Sequence, residues 1–317
     1  MPLKPSVTNP ANIRSVEPER TKNRELLLLA VFIAASIPLY WTALRELAHL
    51  VWNDEGHSHI MIVPLVSAWF LWNCRGDLKP VAGDRASRIA AALAIALGVV
   101  GFASGWVLSV RGSSWYLAVW ILSLLCMWIG GFALTFGSRG LRSAAFPLAF
   151  LVFLVPPPDS LLQFAIRFLQ NASVELTYWG FRLFNIPVHR EGVTFTLPSL
   201  NIAVAKECSG IRSSISLLLT TIIAVHLFLK SKLNKLLLIA LVVPIAIFKN
   251  AMRIVTLSLL AMYVDRSFID GKLHHRGGFV FFLLALGLVF GLMSLLRRFE
   301  ERQRTVQSQA HFGASGV

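Results

Sequence analysis

Apolar residues in this chain gather into long runs separated by short polar breaks. Eight runs stand out, at about 26–44, 60–73, 89–108, 115–136, 144–155, 215–229, 236–248 and 277–296. Half of them approach the roughly 20 residues that an α-helix needs to cross a bilayer, and the shorter ones would borrow flanking residues. The pattern predicts an all-α polytopic membrane protein with about eight transmembrane helices. The first run is too long for a signal-peptide core and too far from the start, so it reads as a retained span.

The longest break, 156–210, has structure of its own. Pro156-Pro157-Pro158 ends the fifth run, since successive prolines cannot continue a helix. Over 160–184, Leu161, Leu162, Phe164, Phe168, Leu169, Leu176 and Trp179 recur at helical spacing against Gln163, Arg167, Gln170, Asn171 and Glu175. That spacing predicts an amphipathic helix lying in the membrane interface. Val193 to Leu197 alternates, Pro198-Ser199 turns, and Ile202 and Val204 alternate again, which predicts a small β-hairpin. No internal repeat stands out.

Composition agrees with this reading. Of 317 residues, 56% are hydrophobic and 15% charged, which excludes an ordinary soluble domain. The net charge of +14 does not point to nucleic acid, because Lys and Arg sit between the apolar runs and at the two ends. Loops 74–88, 137–143 and 230–235 hold nine Lys/Arg (Arg75, Lys79, Arg85, Arg88, Arg139, Arg142, Lys230, Lys232, Lys235) against Asp77 and Asp84. The positive-inside rule then puts these loops and both termini in the cytoplasm. Residues 1–24 and 299–317 read as cytoplasmic tails around a single transmembrane domain, 25–298. On that topology Cys208 opens the sixth span, Arg253 lies near the end of the seventh and His274 stands just before the eighth, all on the outer side.

Glu207-Cys208-Ser209-Gly210-Ile211-Arg212 puts a thiol just ahead of a helix, where the positive end of the helix dipole favours thiolate. Cys74 and Cys126 map to an inner helix end and a helix middle and read as small apolar fillers. Neither reaches Cys208 on this topology, so no disulfide is expected. A lone thiol facing an oxidising compartment asks for a reason. Blander readings stand beside the chemical one: Arg253 as an interfacial anchor, His274 and His275 as loop residues, Glu207 as an ion-pair partner. Two rival classes remain. A metal-dependent hydrolase would use His57, His59, His274 and His275, although no acid sits at zincin spacing. A transporter would line a pathway with Lys249 and Arg253, although repeat symmetry is lacking.

In its motifs the chain resembles the exosortase/archaeosortase family of multi-pass membrane transpeptidases, with the bacterial exosortase branch favoured. The resemblance rests on Cys208-Ser209-Gly210, on Asn250 with Arg253, and on His274, Gly278 and Phe282. An N-terminal pattern adds Trp52, Asp54, Ser58-His59, Pro64, Leu71-Trp72 and Arg75. It implies a catalytic centre of Cys208, Arg253 and His274, with no cofactor or metal. It also implies exported substrates whose C-terminal tail carries a recognition motif (Pro-Glu-Pro in the bacterial branch), a transmembrane segment and a basic cluster. The implied setting is the inner cell membrane, among lipid, with the acceptor unassigned. Ser209, Gly210, Asn250 and Arg212 are the expected substrate-binding residues. Asp54 and His59 lie in the first outer loop, near enough in topology to contribute.

The chemistry follows from the residue types. Cys208 would attack the scissile carbonyl and hold the acyl group as a thioester. His274 would take the thiol proton, or pair with the thiolate, and then protonate the leaving amine. Arg253 stays charged and cannot act as a base, so its role would be to hold the carbonyl or oxyanion.

Overall fold

In the computed structural model the described residues are 17–78, 84–204, 210–265 and 278–314. Their contacts fall into two compact units, residues 1–160 and 161–317.

The first unit is helical. Helices α1 (Glu17–Leu39) and α2 (Trp41–Asn53) bend by 76° at Tyr40, two residues after Pro38 removes a helical N–H. The bend is held by polar side chains that find partners inside apolar surroundings: Tyr40 Oη and Ser123 Oγ are 2.8 Å apart, and Trp128 Nε1 donates to Ser36 Oγ at 2.8 Å. A 3-10 turn (Glu55–Met61) leads to α3 (Ile62–Asn73), whose 12 residues are too short to cross a bilayer alone. Asp84 accepts from Ser87 N at 3.3 Å and caps α4 (Arg85–Val110), which packs along α5 (Tyr116–Ser143). At Gly137 the helix breaks, with φ 63° and ψ −169°, a backbone state open to glycine. Helix α6 (Ala145–Phe150) and a 3-10 turn (Leu151–Leu154) follow.

The second unit begins with α7 (Asp159–Leu183), as the helical spacing predicts. Leu161, Phe164, Phe168, Leu176 and Trp179 are exposed, while Gln170, Ser173, Val174, Thr177 and Phe181 are buried. Gln170 belongs to the stripe the sequence reads as polar, yet it is buried with Ile166, Leu169, Val174 and Phe181, whereas Arg167, Asn171 and Glu175 of that stripe are exposed. Three antiparallel strands follow in the order β1 (His189–Glu191), β2 (Thr194–Leu197) and β3 (Leu200–Ala203), with Phe195 opposite Ile202. The β2–β3 hairpin is the one the alternation predicts, and β1 extends it. Phe195, Leu197 and Val204 pack with Val174 and Phe181 of α7.

Helices α8 (Ile211–Phe228), α9 (Lys232–Tyr263) and α10 (Gly278–Ala314) complete this unit. The first part of α9, with Leu238, Val242 and Ile245, packs against Leu217 and Val225 of α8 and Ala285 and Val289 of α10. Its later part, with Ile254 and Val255, packs into the cluster of α7 and the sheet. Ser231 caps α9, and Glu300 of α10 accepts from Lys230 N, Ser231 N and Asn234 Nδ2 at 2.8–3.0 Å, placing a carboxylate at a helix N-terminus.

Among the described residues, α4, α5, α8, α9 and the 278–303 stretch of α10 are long and apolar enough to cross a membrane, and two broken helix pairs raise five to seven. The protein is an all-α polytopic membrane protein with one small sheet. The run at 60–73, counted as a span in the sequence, is the short α3.

Candidate functional site

Helix α9 changes partners midway, and its polar residues lie at the change. Below them it belongs to the α8–α10 core; above them it belongs to the α7–sheet core. In between come Lys249 and Asn250, both buried, and the half-buried Arg253. The run predicted to stop at 248 therefore continues as helix to Tyr263, and Arg253 lies about three turns before its end. Three polar residues so close together lower the local hydropathy without breaking the helix.

Helix α8 starts beside them. Gly210 occupies its N-cap with φ 72° and no side-chain cap. A methyl group at this position would stand 3.0 Å from Asn250 Oδ1 and 3.2 Å from its Cγ, so the Gly210 backbone lies directly on the Asn250 side chain. Glycine is required twice here, by the left-handed φ and by the close approach. Ser213 Oγ and Ser214 Oγ donate to Gly210 O at 3.0 and 2.8 Å, and Lys249 Nζ donates to Ser213 Oγ. Three polar side chains, Ser213, Ser214 and Asn250, thus meet at one glycine, and Lys249 reaches it through Ser213. Arg212, in the first turn of α8, is exposed.

Of the residues expected at the site, Gly210 and Asn250 are in direct contact, and Arg253 follows Asn250 by three residues on the same helix, close to one turn. Cys208, Ser209, Glu207, His274 and His275 lie outside the described residues. Cys74 and Cys126 are both half-buried free thiols, as fillers would be.

Two features went unread in the sequence. The sequence assigns Lys249 only to a transporter pathway, although a lysine inside an apolar run is itself a functional signal. The other is a pair in the first unit. Asp54 caps the 3-10 turn, accepting from Gly56 N at 2.7 Å, while its Oδ2 receives His57 Nδ1 at 2.9 Å. His57 is buried, and its ring stacks on His59 at 6.5 Å between centroids. Burial pushes the His59 imidazole below its usual pKa. The motif positions Asp54 and His59 thus flank the histidine that Asp54 holds. Among the described residues no three His, Cys, Asp or Glu side chains gather as metal ligands.

No curated protein and no solved structure matches the chain. A family model described as transmembrane exosortase matches residues 51–291, a stretch that runs from the Asp54 turn through Cys208, Arg253 and His274 into α10. With three quarters of its length matched, the chain belongs to the transmembrane exosortase family.

Proposed function

We propose that this protein is a cysteine transpeptidase of the membrane that cleaves C-terminal sorting tails from exported proteins. Family membership supports a membrane transpeptidase or protease in general terms. The observation that carries the finer reading is the seating of Gly210 on Asn250, which draws the end of the Cys208-Ser209-Gly210 motif onto the helix bearing Arg253.

In this reading Cys208 attacks the scissile carbonyl carbon and its sulfur forms the thioester. His274 accepts the thiol proton and returns it to the departing amine. Arg253 offers two parallel donors to the oxygen that gains charge, a role suited to its planar fork. Water or an amine acceptor then attacks the thioester and frees the thiol. The substrate's own apolar segment approaches through the bilayer, and Ser209, Gly210, Asn250 and Arg212 bind the chain around the cleavage point. The site faces the outside of the cell membrane and both termini face the cytoplasm, following the distribution of Lys and Arg.

The test is processing of a reporter that ends in a Pro-Glu-Pro motif, an apolar span and a basic cluster. Cys208→Ser is expected to insert at normal levels and to process none of it, because a serine hydroxyl stays protonated where a thiol ionises. Cys74→Ala and Cys126→Ala are expected to process normally. Wild-type processing by Cys208→Ser would remove the thiol mechanism.

A further inference from the structure

Lys249 is 6% exposed in the middle of a membrane helix, with Arg253 one turn further on. Burying an ammonium group is costly, and a like charge four residues away adds to the cost. A leucine would pack in its place. What the lysine makes instead is a hydrogen bond to Ser213 Oγ, which in turn donates to Gly210 O at 3.0 Å. The chain Lys249–Ser213–Gly210 ties α9 to the first turn of α8.

A second buried polar side chain acts at the other end of the same stretch of sequence. Gln170 of α7 is 8% exposed, and its Nε2 donates to the carbonyl of Val204, just beyond β3. Val204 precedes Cys208 by four residues and Gly210 follows it by two. Gln170, and Ser213 braced by Lys249, therefore hold backbone carbonyls on either side of the thiol position.

We propose that Lys249, acting through Ser213, and Gln170 are positioning residues that set the placement of the Cys208 thiol for attack. Neither touches the reacting atoms. The proposal rests on Cys208 being the nucleophile. A misplacement of about 1 Å in a reacting group can lower a rate on the order of a hundredfold, and that is the scale on which such anchors act.

The experiment measures processing of the Pro-Glu-Pro reporter by the full-length protein, with kcat and KM separated. Lys249→Met and Ser213→Ala are each expected to lower kcat roughly ten- to a hundredfold with KM unchanged. Because they cut one chain of bonds, the double variant should be no slower than the slower single one. Lys249→Gln retains a donor without the charge and should recover most of the rate. Gln170→Leu should lose rate by a similar factor. Should Lys249→Met fail to insert, the smaller change Ser213→Ala decides alone. Wild-type kcat in Ser213→Ala and Lys249→Met, or losses that multiply in the double variant, would overturn the proposal while leaving an inactive Cys208→Ala and the nucleophile intact. Full processing by Cys208→Ala would remove both.

Discussion

Helix pairs α4–α5 and α8–α9 are both apolar hairpins long enough to cross a membrane, yet they bury different things. Between α4 and α5 the contact is close and mostly apolar, with Trp120 Nε1 donating across it to Phe102 O at 3.0 Å. Gly105 lies under the Trp120 ring, and Gly98 under Met127, so that a methyl group added at either would stand 2.3 and 2.6 Å from those side chains. Small residues that let helices approach closely are the usual source of adhesion where lipid already solvates apolar groups. Within α8 and α9 the buried polar set is Thr221, Lys249, Asn250 and Ser258. Thr221 and Ser258 merely return a hydrogen bond to their own helix, at Leu217 O and Ile254 O. Lys249 and Asn250 instead reach across to the start of α8. The first pair is built for adhesion alone. The second spends stability on polar groups at one level of the membrane, where an intramembrane charge signals function.

That contrast has measurable consequences. The largest is expected at Arg253. Arg253→Lys keeps the charge and loses the fork, so expression and insertion should hold while turnover falls roughly a hundred- to a thousandfold, as when one oxyanion donor is removed. Rate measurements at saturating reporter would show it; a normal rate would reduce Arg253 to an interfacial anchor. A smaller loss is expected at Gly210→Ala. The substitution strains a left-handed residue by about 1–2 kcal/mol and pushes against Asn250, so activity should fall roughly tenfold or more, beyond any loss of folded protein. The opposite split is expected at Gly105→Ala. Overpacking against Trp120 should cost about 1–3 kcal/mol, seen as a lower melting temperature in detergent, while the activity of each folded molecule stays unchanged. If Gly105→Ala instead lost activity without stability, the division between the two hairpins would fail.

Much of this was legible in the sequence, and its gaps have physical causes. Helices α4, α5 and α8 follow apolar runs free of Lys, Arg, Asp and Glu, and Gly137 breaks α5 directly after the predicted end of its run at 136. The hairpin β2–β3 was legible because alternating apolar residues flank Pro198-Ser199. Strand β1, His189–Glu191, was not, since its three polar residues carry no alternation. The ends of α9 and α10 were read short for one reason: Lys249, Asn250 and Arg253, and then the Arg and Glu residues after Leu296, lower hydropathy, yet remain good enough helix formers for the backbone to continue. The sequence puts Cys208, Arg253 and His274 on one side of the membrane by topology, whereas the contact of Gly210 with Asn250 depends on how the helices pack. Gln170 shows the limit most clearly. On a helical wheel it joins the polar stripe, and only its bond to Val204 reveals that it turns inward while Arg167, Asn171 and Glu175 stay exposed.

In the proposed mechanism Cys208 carries the acyl group. Intact-mass analysis of the protein, quenched during turnover of the Pro-Glu-Pro reporter, tests it most directly. The expected result is an adduct of the reporter's acyl portion on Cys208, removed by neutral hydroxylamine as a thioester would be and absent from Cys208→Ala. An adduct mapped to any other residue, or reporter cleavage by Cys208→Ala at the wild-type rate, would contradict it.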